Sequence, residues 1–106
     1  MTKMKKRVMP LEAKRILARV PSHASFWLCT NEELRNLKQL ASALERVDDD
    51  VFRYHVNRDK NDFEVWIRDK IQDKELAREI ARVKTKETLY RKIKERVDAL
   101  SVVVRS

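Results

Sequence analysis

The chain has 106 residues, of which 42% are apolar and 40% are charged, so it is long enough for one domain with a single core and a densely charged surface. It contains no glycine, which excludes the glycine-rich loops of Walker-type and Rossmann-type phosphate sites. A single cysteine, Cys29, cannot form an internal disulfide or a cysteine-type zinc site, and no apolar run approaches the ~20 residues needed to cross a bilayer. We therefore expect a cytoplasmic protein without a transmembrane segment.

The formal net charge of +8 is concentrated at the two ends of the sequence. Residues 1–20 carry seven Lys or Arg and one Glu, and residues 61–106 carry twelve basic and nine acidic residues. Between them, residues 21–60 carry six basic and seven acidic residues. This polarity favours a polyanionic partner, such as nucleic acid or an anionic membrane surface.

The first elements in chain order are a basic tail and a short amphipathic helix. Residues 1–8 are predicted to be flexible, residues 9–100 to form a single helical domain, and residues 101–106 to form a short tail. Pro10 suits the first turn of a helix because its missing N–H has no partner there in any case. Pro21 ends this helix at or before Val20.

The segment SFWLCT, residues 25–30, is aromatic and strand-like, and two interpretations of the residues after it stay open. Thr30 and Glu33 can form a capping box for one long helix over residues 31–47, which the apolar periodicity slightly favours. Alternatively, Thr30 and Asn31 form a tight turn, EELR is a second strand, and Asn36 caps a shorter helix.

The remaining helices are predicted from polar residues that precede apolar stripes. Three consecutive aspartates, residues 48–50, precede the short helix VFRYHV, and Asn61 precedes the helix DFEVWIRDKIQ. Asp73 precedes a helix with a stripe of Leu, Ile and Val, and Thr85 begins the last helix. The end, SVVVRS, has strand propensity. The predicted fold class is mostly α, a compact bundle of about five to six short helices.

Several segments occur in an order that forms a recognisable signature. They are FWLCTNEELRNLKQLASALE, DDDVFRYHVN, KNDFEVWIRD, DKELAREI and KTKETL. Together, residues 26–96 resemble a small domain family of unknown function that is found mainly in archaea. The resemblance implies a β-hairpin at about 26–29 and 32–35, because relatives often have a turn at the position of Thr30 and Asn31. Asn31 replaces the glycine of that pattern, but it can adopt the left-handed conformation that such a turn needs. The resemblance implies no activity.

The polar and aromatic residues between 52 and 69 are interpreted as structural. We expect a helix–loop–helix corner in which Phe63 and Trp66 are packed inside, Asn61 and Asp62 cap the second helix, and His55 is buried against Asp62 or a loop carbonyl. A metal site at the aspartates 48–50 is disfavoured, because they lack the alternating spacing of a calcium loop. No cofactor is predicted. No catalytic spacing of Ser, His or paired carboxylates is evident either, so we expect a non-enzymatic protein.

The predicted function is binding of double-stranded or structured nucleic acid, DNA or RNA, through phosphates and with little sequence specificity, as in a chromatin or ribonucleoprotein component. The candidate contacts are Lys3, Lys5, Lys6, Arg7, Lys14, Arg15, Arg19, Lys84, Lys86, Arg91, Lys92, Lys94 and Arg96. For the last helix, a solvated face neutralised by Glu87, Glu95 and Asp98 is the alternative interpretation.

The alternative function is a protein–protein interaction module, either a homo-oligomer or a small subunit of a larger assembly. Two features suggest it. Val102–Val104 can add as a strand to a hairpin edge, and one residue of the pair Phe26–Trp27 must face outward if that segment is a strand.

Overall fold

The computed structural model describes residues 8–105, and it consists of six α-helices and one two-stranded hairpin in that range. The mostly α fold class with a small hairpin is therefore confirmed. The elements are α1 (Pro10–Leu17), β1 (Phe26–Trp27), β2 (Glu33–Leu34), α2 (Leu37–Arg46), α3 (Asp49–His55), α4 (Asp62–Trp66), α5 (Lys74–Ile80) and α6 (Lys86–Arg105). A 3-10 turn (Ser22–Ala24) precedes β1, and a π-helical turn (Ile67–Ile71) continues α4. None of the helices in the described range is long and apolar enough to span a membrane.

The hairpin prediction is confirmed, and the long helix over residues 31–47 is wrong. The strands are antiparallel, with Phe26 opposite Leu34. The N–H of Asn31 donates to the carbonyl of Leu28 (2.8 Å), and Asn31 has φ 70°, the left-handed conformation that the turn requires. Helix α2 begins only at Leu37, because the side chain of Asn36 accepts the N–H of Gln39 at 2.8 Å and ends the extended segment.

Polar side chains cap the other short helices at the predicted positions. The side-chain oxygens of Asp48, Asn61 and Asp73 each accept a backbone N–H from the first turn that follows. The last helix opens at Thr85, whose hydroxyl accepts the N–H of Thr88 at 3.3 Å. Each cap satisfies a donor that the helix itself leaves without a partner.

Helix α6 runs to Arg105, so residues 101–105 continue the helix and do not form the short tail with strand propensity that the sequence predicts. β-Branched residues lower helix propensity by only about 0.5 kcal/mol each, which packing readily offsets. Val103 and Val104 are partly buried against the core, and this contact accounts for the continued helix. Ser106 and residues 1–7, which include most of the predicted basic tail, lie outside the described residues.

The core is built around α6 and around an aromatic cluster beneath the hairpin. Helix α6 contacts α1, α2 and α5. In the cluster, the ring of Phe26 lies 4.8 Å from that of Phe63 and 5.7 Å from that of Trp66. The indole N–H of Trp66 donates to the carbonyl of Ala24 at 2.8 Å, which ties α4 to the chain just before β1. Residues 52–69 therefore form a packed corner, with Phe52, Val56, Phe63 and Trp66 all buried.

Candidate nucleic-acid interface

The cations that the sequence assigns to phosphate contacts fall into three groups in the structure. Lys3, Lys5, Lys6 and Arg7 lie outside the described residues. A second group makes contacts within the protein. The third group is exposed or half-buried without an ion pair in residues 8–105, and it consists of Lys14, Arg19, Lys84 and Lys92.

Arg96 is a buried structural residue, and its assignment to phosphate contacts is corrected. Only 4% of its side chain is exposed, and the guanidinium makes two hydrogen bonds of 2.8 Å to the Asp73 carboxylate, of which 2% is exposed. The carboxylate of Glu75 lies 3.8 Å from the same guanidinium. Because a phosphate has no access to this guanidinium, Arg96 joins α6 to the start of α5 and does not face a ligand.

Four further candidates, Arg15, Lys86, Arg91 and Lys94, form hydrogen bonds or ion pairs with neighbouring groups. The guanidinium of Arg15 pairs with Glu12, which raises the pKa of Arg15, and it also donates to the carbonyls of Ile71 and Gln72. The ammonium of Lys86 donates to the carbonyl of Val47 at 2.7 Å and so caps the end of α2.

On the exposed side of α6, two i,i+4 ion pairs balance most of the local charge. The ammonium of Lys94 donates to Asp98 at 2.9 Å, and this hydrogen bond raises the pKa of Lys94. Arg91 lies 3.7 Å from Glu95. Of the two interpretations of this helix, the neutralised face describes these four residues better, because each cation has a carboxylate one turn away.

A different group of cations gathers where the loop after α3 meets the loop before α6. The ammonium of Lys84 lies 3.4 Å from the carbonyl of Asn57, and the side chain of Asn61 donates to the carbonyl of Ile80 at 3.0 Å. The side chain of Asn57 also donates to the carbonyl of Arg53 (3.3 Å). Segments 53–61 and 80–84 therefore lie side by side. We call the exposed cations of these segments, together with the exposed Tyr54, the loop-57 surface: Arg53, Tyr54, Arg58, Lys60, Arg82 and Lys84; the carboxylate of Asp59 is exposed in the same loop.

The loop-57 surface carries more positive than negative charge. Arg53, Arg58 and Arg82 are exposed and form no ion pair with any residue between 8 and 105. Two carboxylates lie in the same loop region, those of Asp59 and Asp62. Asp62 is occupied, because the ammonium of Lys60 donates to it at 2.9 Å. This hydrogen bond raises the pKa of Lys60 above its ordinary value of 10.5.

An aromatic ring lies within this basic surface. Tyr54 is 58% exposed, and the ammonium of Lys60 lies 4.8 Å from the centroid of its ring. On the protein side, the ring meets the buried imidazole of His55, with centroids 4.9 Å apart and an interplanar angle of 79°. A cation placed over an aromatic ring at this distance is attracted by the π-electrons of the ring.

The residues predicted to be structural fix the base of the surface. His55 is 3% exposed, its Nδ1 lies 3.0 Å from Asp62, and its Nε2 accepts the backbone N–H of Cys29 at 3.1 Å. Because Nε2 accepts the N–H of Cys29, Nδ1 is the ring nitrogen that can donate to Asp62. His55 thus joins α3 both to α4 and to the hairpin turn.

A cleft of about 760 Å³ opens between α1, the π-helical turn and α5, but its charges are mixed. Its lining includes the cations Arg68, Lys74 and Arg78 and the acids Asp69 and Glu75. A mixed lining does not favour a polyanion, so this cleft is a weaker candidate for nucleic acid than the loop-57 surface. In the part of the chain that the structure describes, no group of three or more His, Cys, Asp or Glu side chains is placed to hold a metal ion.

Most of the loop-57 surface was not predicted from the sequence, which gave only Lys84. The stretch NRDKN lies in the loop of the predicted helix–loop–helix corner, and more than 20 residues separate it from Lys84 along the chain. The sequence does contain a signal for this surface: Arg58 and Lys60 flank Asp59, and Tyr54 lies one helical turn before Arg58.

Comparison with known proteins gives a family and no activity. The model of DUF5752, which is described as a family of unknown function, matches residues 19–104. No curated protein matches the chain, and no solved structure matches it either.

Proposed function

The chain belongs to the DUF5752 family, and we propose that it binds nucleic acid through phosphate contacts with little sequence specificity. The observation that supports this proposal is the loop-57 surface, where exposed cations from two distant segments gather without enough carboxylates to neutralise them. Phosphate contact requires positive charge that can reach the ligand, and it requires no geometry for base reading. An archaeal source, which the resemblance suggests, and a cytoplasmic location, which the single cysteine suggests, belong to the same proposal.

The basic residues at the start of the chain add to the positive charge that attracts a polyanion. Lys3, Lys5, Lys6 and Arg7 account for half of the net charge of +8. Lys14 on α1, Arg19 just after α1 and Lys92 on α6 extend the set of cations without ion pairs, and α1 packs directly against α6. A polyanion that contacts more than one of these groups is bound more tightly, because each neutralised phosphate releases counterions.

The salt dependence of binding tests the proposal. If about five phosphates of a duplex are engaged, the slope of log K against log salt is about −4 to −5. The measurement is fluorescence anisotropy with a labelled duplex and a labelled RNA hairpin over a salt series. Affinity that does not change with salt, or no binding at low salt, contradicts the proposal.

Two matched triple variants test the location of the site. The variant Arg58→Gln, Arg82→Gln and Lys84→Gln removes three charges from the loop-57 surface. The control, Arg46→Gln, Arg68→Gln and Lys94→Gln, removes three exposed charges that are paired with carboxylates elsewhere. We expect the first variant to weaken binding at least about tenfold and to reduce the salt slope by about 2–3, with a smaller effect in the control. Equal loss of affinity in the two variants would indicate that binding depends on the net charge of the protein and not on a localised site.

The protein-interaction alternative retains one of its two supporting features. The predicted Val102–Val104 strand is absent, because these residues belong to α6. Trp27 remains 56% exposed on the hairpin, next to the buried Phe26, as expected for one outward residue of the pair. A homo-oligomer detected by sedimentation that dissociates in Trp27→Ser would favour this alternative, whereas an unchanged sedimentation coefficient would argue against it.

A further inference from the structure

Tyr54 has a position that packing alone does not explain. Its ring is 58% exposed, and its hydroxyl makes no hydrogen bond within residues 8–105. The other described tyrosine behaves differently, since Tyr90 is half-buried and its hydroxyl donates to Glu45 at 3.2 Å. An aromatic ring that is exposed, makes no hydrogen bond through its hydroxyl in the described range and lies beneath the ammonium of Lys60 resembles a ligand contact more than a core residue.

The contacts around Tyr54 hold its ring in place before any ligand arrives. His55 is adjacent to the ring and is itself fixed by hydrogen bonds at both imidazole nitrogens. Lys60 lies over the ring and is anchored to Asp62 at 2.9 Å. A contact group whose conformation is already fixed loses less entropy when it binds a ligand.

On these grounds we propose that Tyr54 stacks on a base of a single-stranded nucleic acid whose phosphates are bound by Arg53, Arg58 and Lys84. This inference rests on the proposed function and specifies that the nucleic acid at this surface is single-stranded. Bases in a continuous duplex are stacked on each other, so only an unpaired base can place its face on a side-chain ring. The base takes the place of the Lys60 ammonium over the ring, while the contact with His55 still holds the ring in position. A structured partner, as predicted from the sequence, meets this requirement where it has an unpaired base, whereas a continuous duplex can contact only the cations.

The test compares two oligomers that have the same number of phosphates. One is a labelled oligothymidylate of about 12 nucleotides, and the other is an abasic strand of the same length. We expect the wild-type protein to bind the thymidylate about tenfold more tightly than the abasic strand, because the abasic strand offers no base to stack. Tyr54→Ala should lose this preference and retain binding to the abasic strand, and Tyr54→Phe should keep the preference.

The remaining outcomes separate this inference from the proposed function. Equal binding of the two oligomers by wild-type protein overturns base stacking and leaves phosphate binding in place. Loss of affinity for both oligomers to the same degree in Tyr54→Ala also overturns stacking. Absence of binding to either oligomer, and to duplex, overturns both proposals. Tyr90→Phe serves as the control and should bind as wild type does. The comparison of the two oligomers with wild-type protein is valid whether or not the variants fold.

Discussion

Replacement of Arg96 by methionine should strongly destabilise the protein, because it removes one partner of a buried ion pair. Methionine fills much of the same volume but leaves the Asp73 carboxylate, which is 2% exposed, without its guanidinium. After the change, Asp73 keeps the N–H of Leu76 as a hydrogen-bond donor at 3.2 Å. Removing one partner of a buried pair costs about 3–5 kcal/mol, which is a large share of the about 5–15 kcal/mol that stabilises a typical domain.

A double-mutant cycle isolates the contribution of the pair. Asp73→Asn removes the negative charge but retains an oxygen that can cap α5, so its loss of stability comes mainly from the Arg96 contact. The double variant should lose less stability than the two single variants together, with a coupling free energy of about 1–3 kcal/mol. The assay is urea unfolding followed by tryptophan fluorescence, to which the buried Trp66 contributes.

One result would reverse the assignment of Arg96. If Arg96→Met lowers the free energy of unfolding by less than about 1 kcal/mol and also weakens nucleic-acid binding, then the guanidinium is available to ligands. Arg96 would then return to the set of phosphate contacts. Strong destabilisation with near-additive single variants would show instead that Arg96 acts through packing of its side-chain stem.

Further predictions concern the aromatic core, the hairpin turn and the Lys60 ion pair. Trp66→Ala should lower the free energy of unfolding by about 3–5 kcal/mol, and Trp66→Phe by less, in urea titrations followed by circular dichroism; little change would identify Trp66 as a surface residue. Asn31→Gly should change stability by only a few tenths of a kcal/mol and Asn31→Val should reduce it by about 1–2 kcal/mol, since φ is 70°; equal effects in thermal melts would contradict the turn. Because Asp62 raises the pKa of Lys60 above 10.5, the stability from this ion pair is present below that value and is lost as pH rises through the raised pKa. The difference between wild type and Lys60→Met should therefore stay constant from about pH 7.5 to about pH 9, and a drift across that range would contradict the pair.

The sequence was sufficient for features that depend on residues close together in the chain. The caps at Asp48, Asn61 and Asp73 follow from the way short polar side chains satisfy the first donors of a helix. The hairpin depended on the resemblance as well. Apolar periodicity alone favoured a long helix, and only the positive φ of Asn31 and the cap at Asn36 decide between the two.

The sequence was not sufficient where residues distant in the chain meet. Arg96 looked like one more exposed cation on a basic helix, and its burial depends on Asp73, 23 residues away. The loop-57 surface depends on the approach of Lys84 to Asn57, 27 residues away. The valines near the end of α6 favour strand by local propensity, but partial burial of Val103 and Val104 keeps them helical.

The position of α6 has a consequence for synthesis of the protein on the ribosome. This helix contacts α1, α2 and α5, yet it is the last of the described elements to be translated. A nascent chain that ends before residue 86 exposes the apolar sides of its earlier helices and remains vulnerable to aggregation and proteolysis. The hydrophobic core is therefore completed only after α6 is synthesised. Synonymous codons that slow translation just before α6 would prolong the time during which the apolar sides of the earlier helices are exposed.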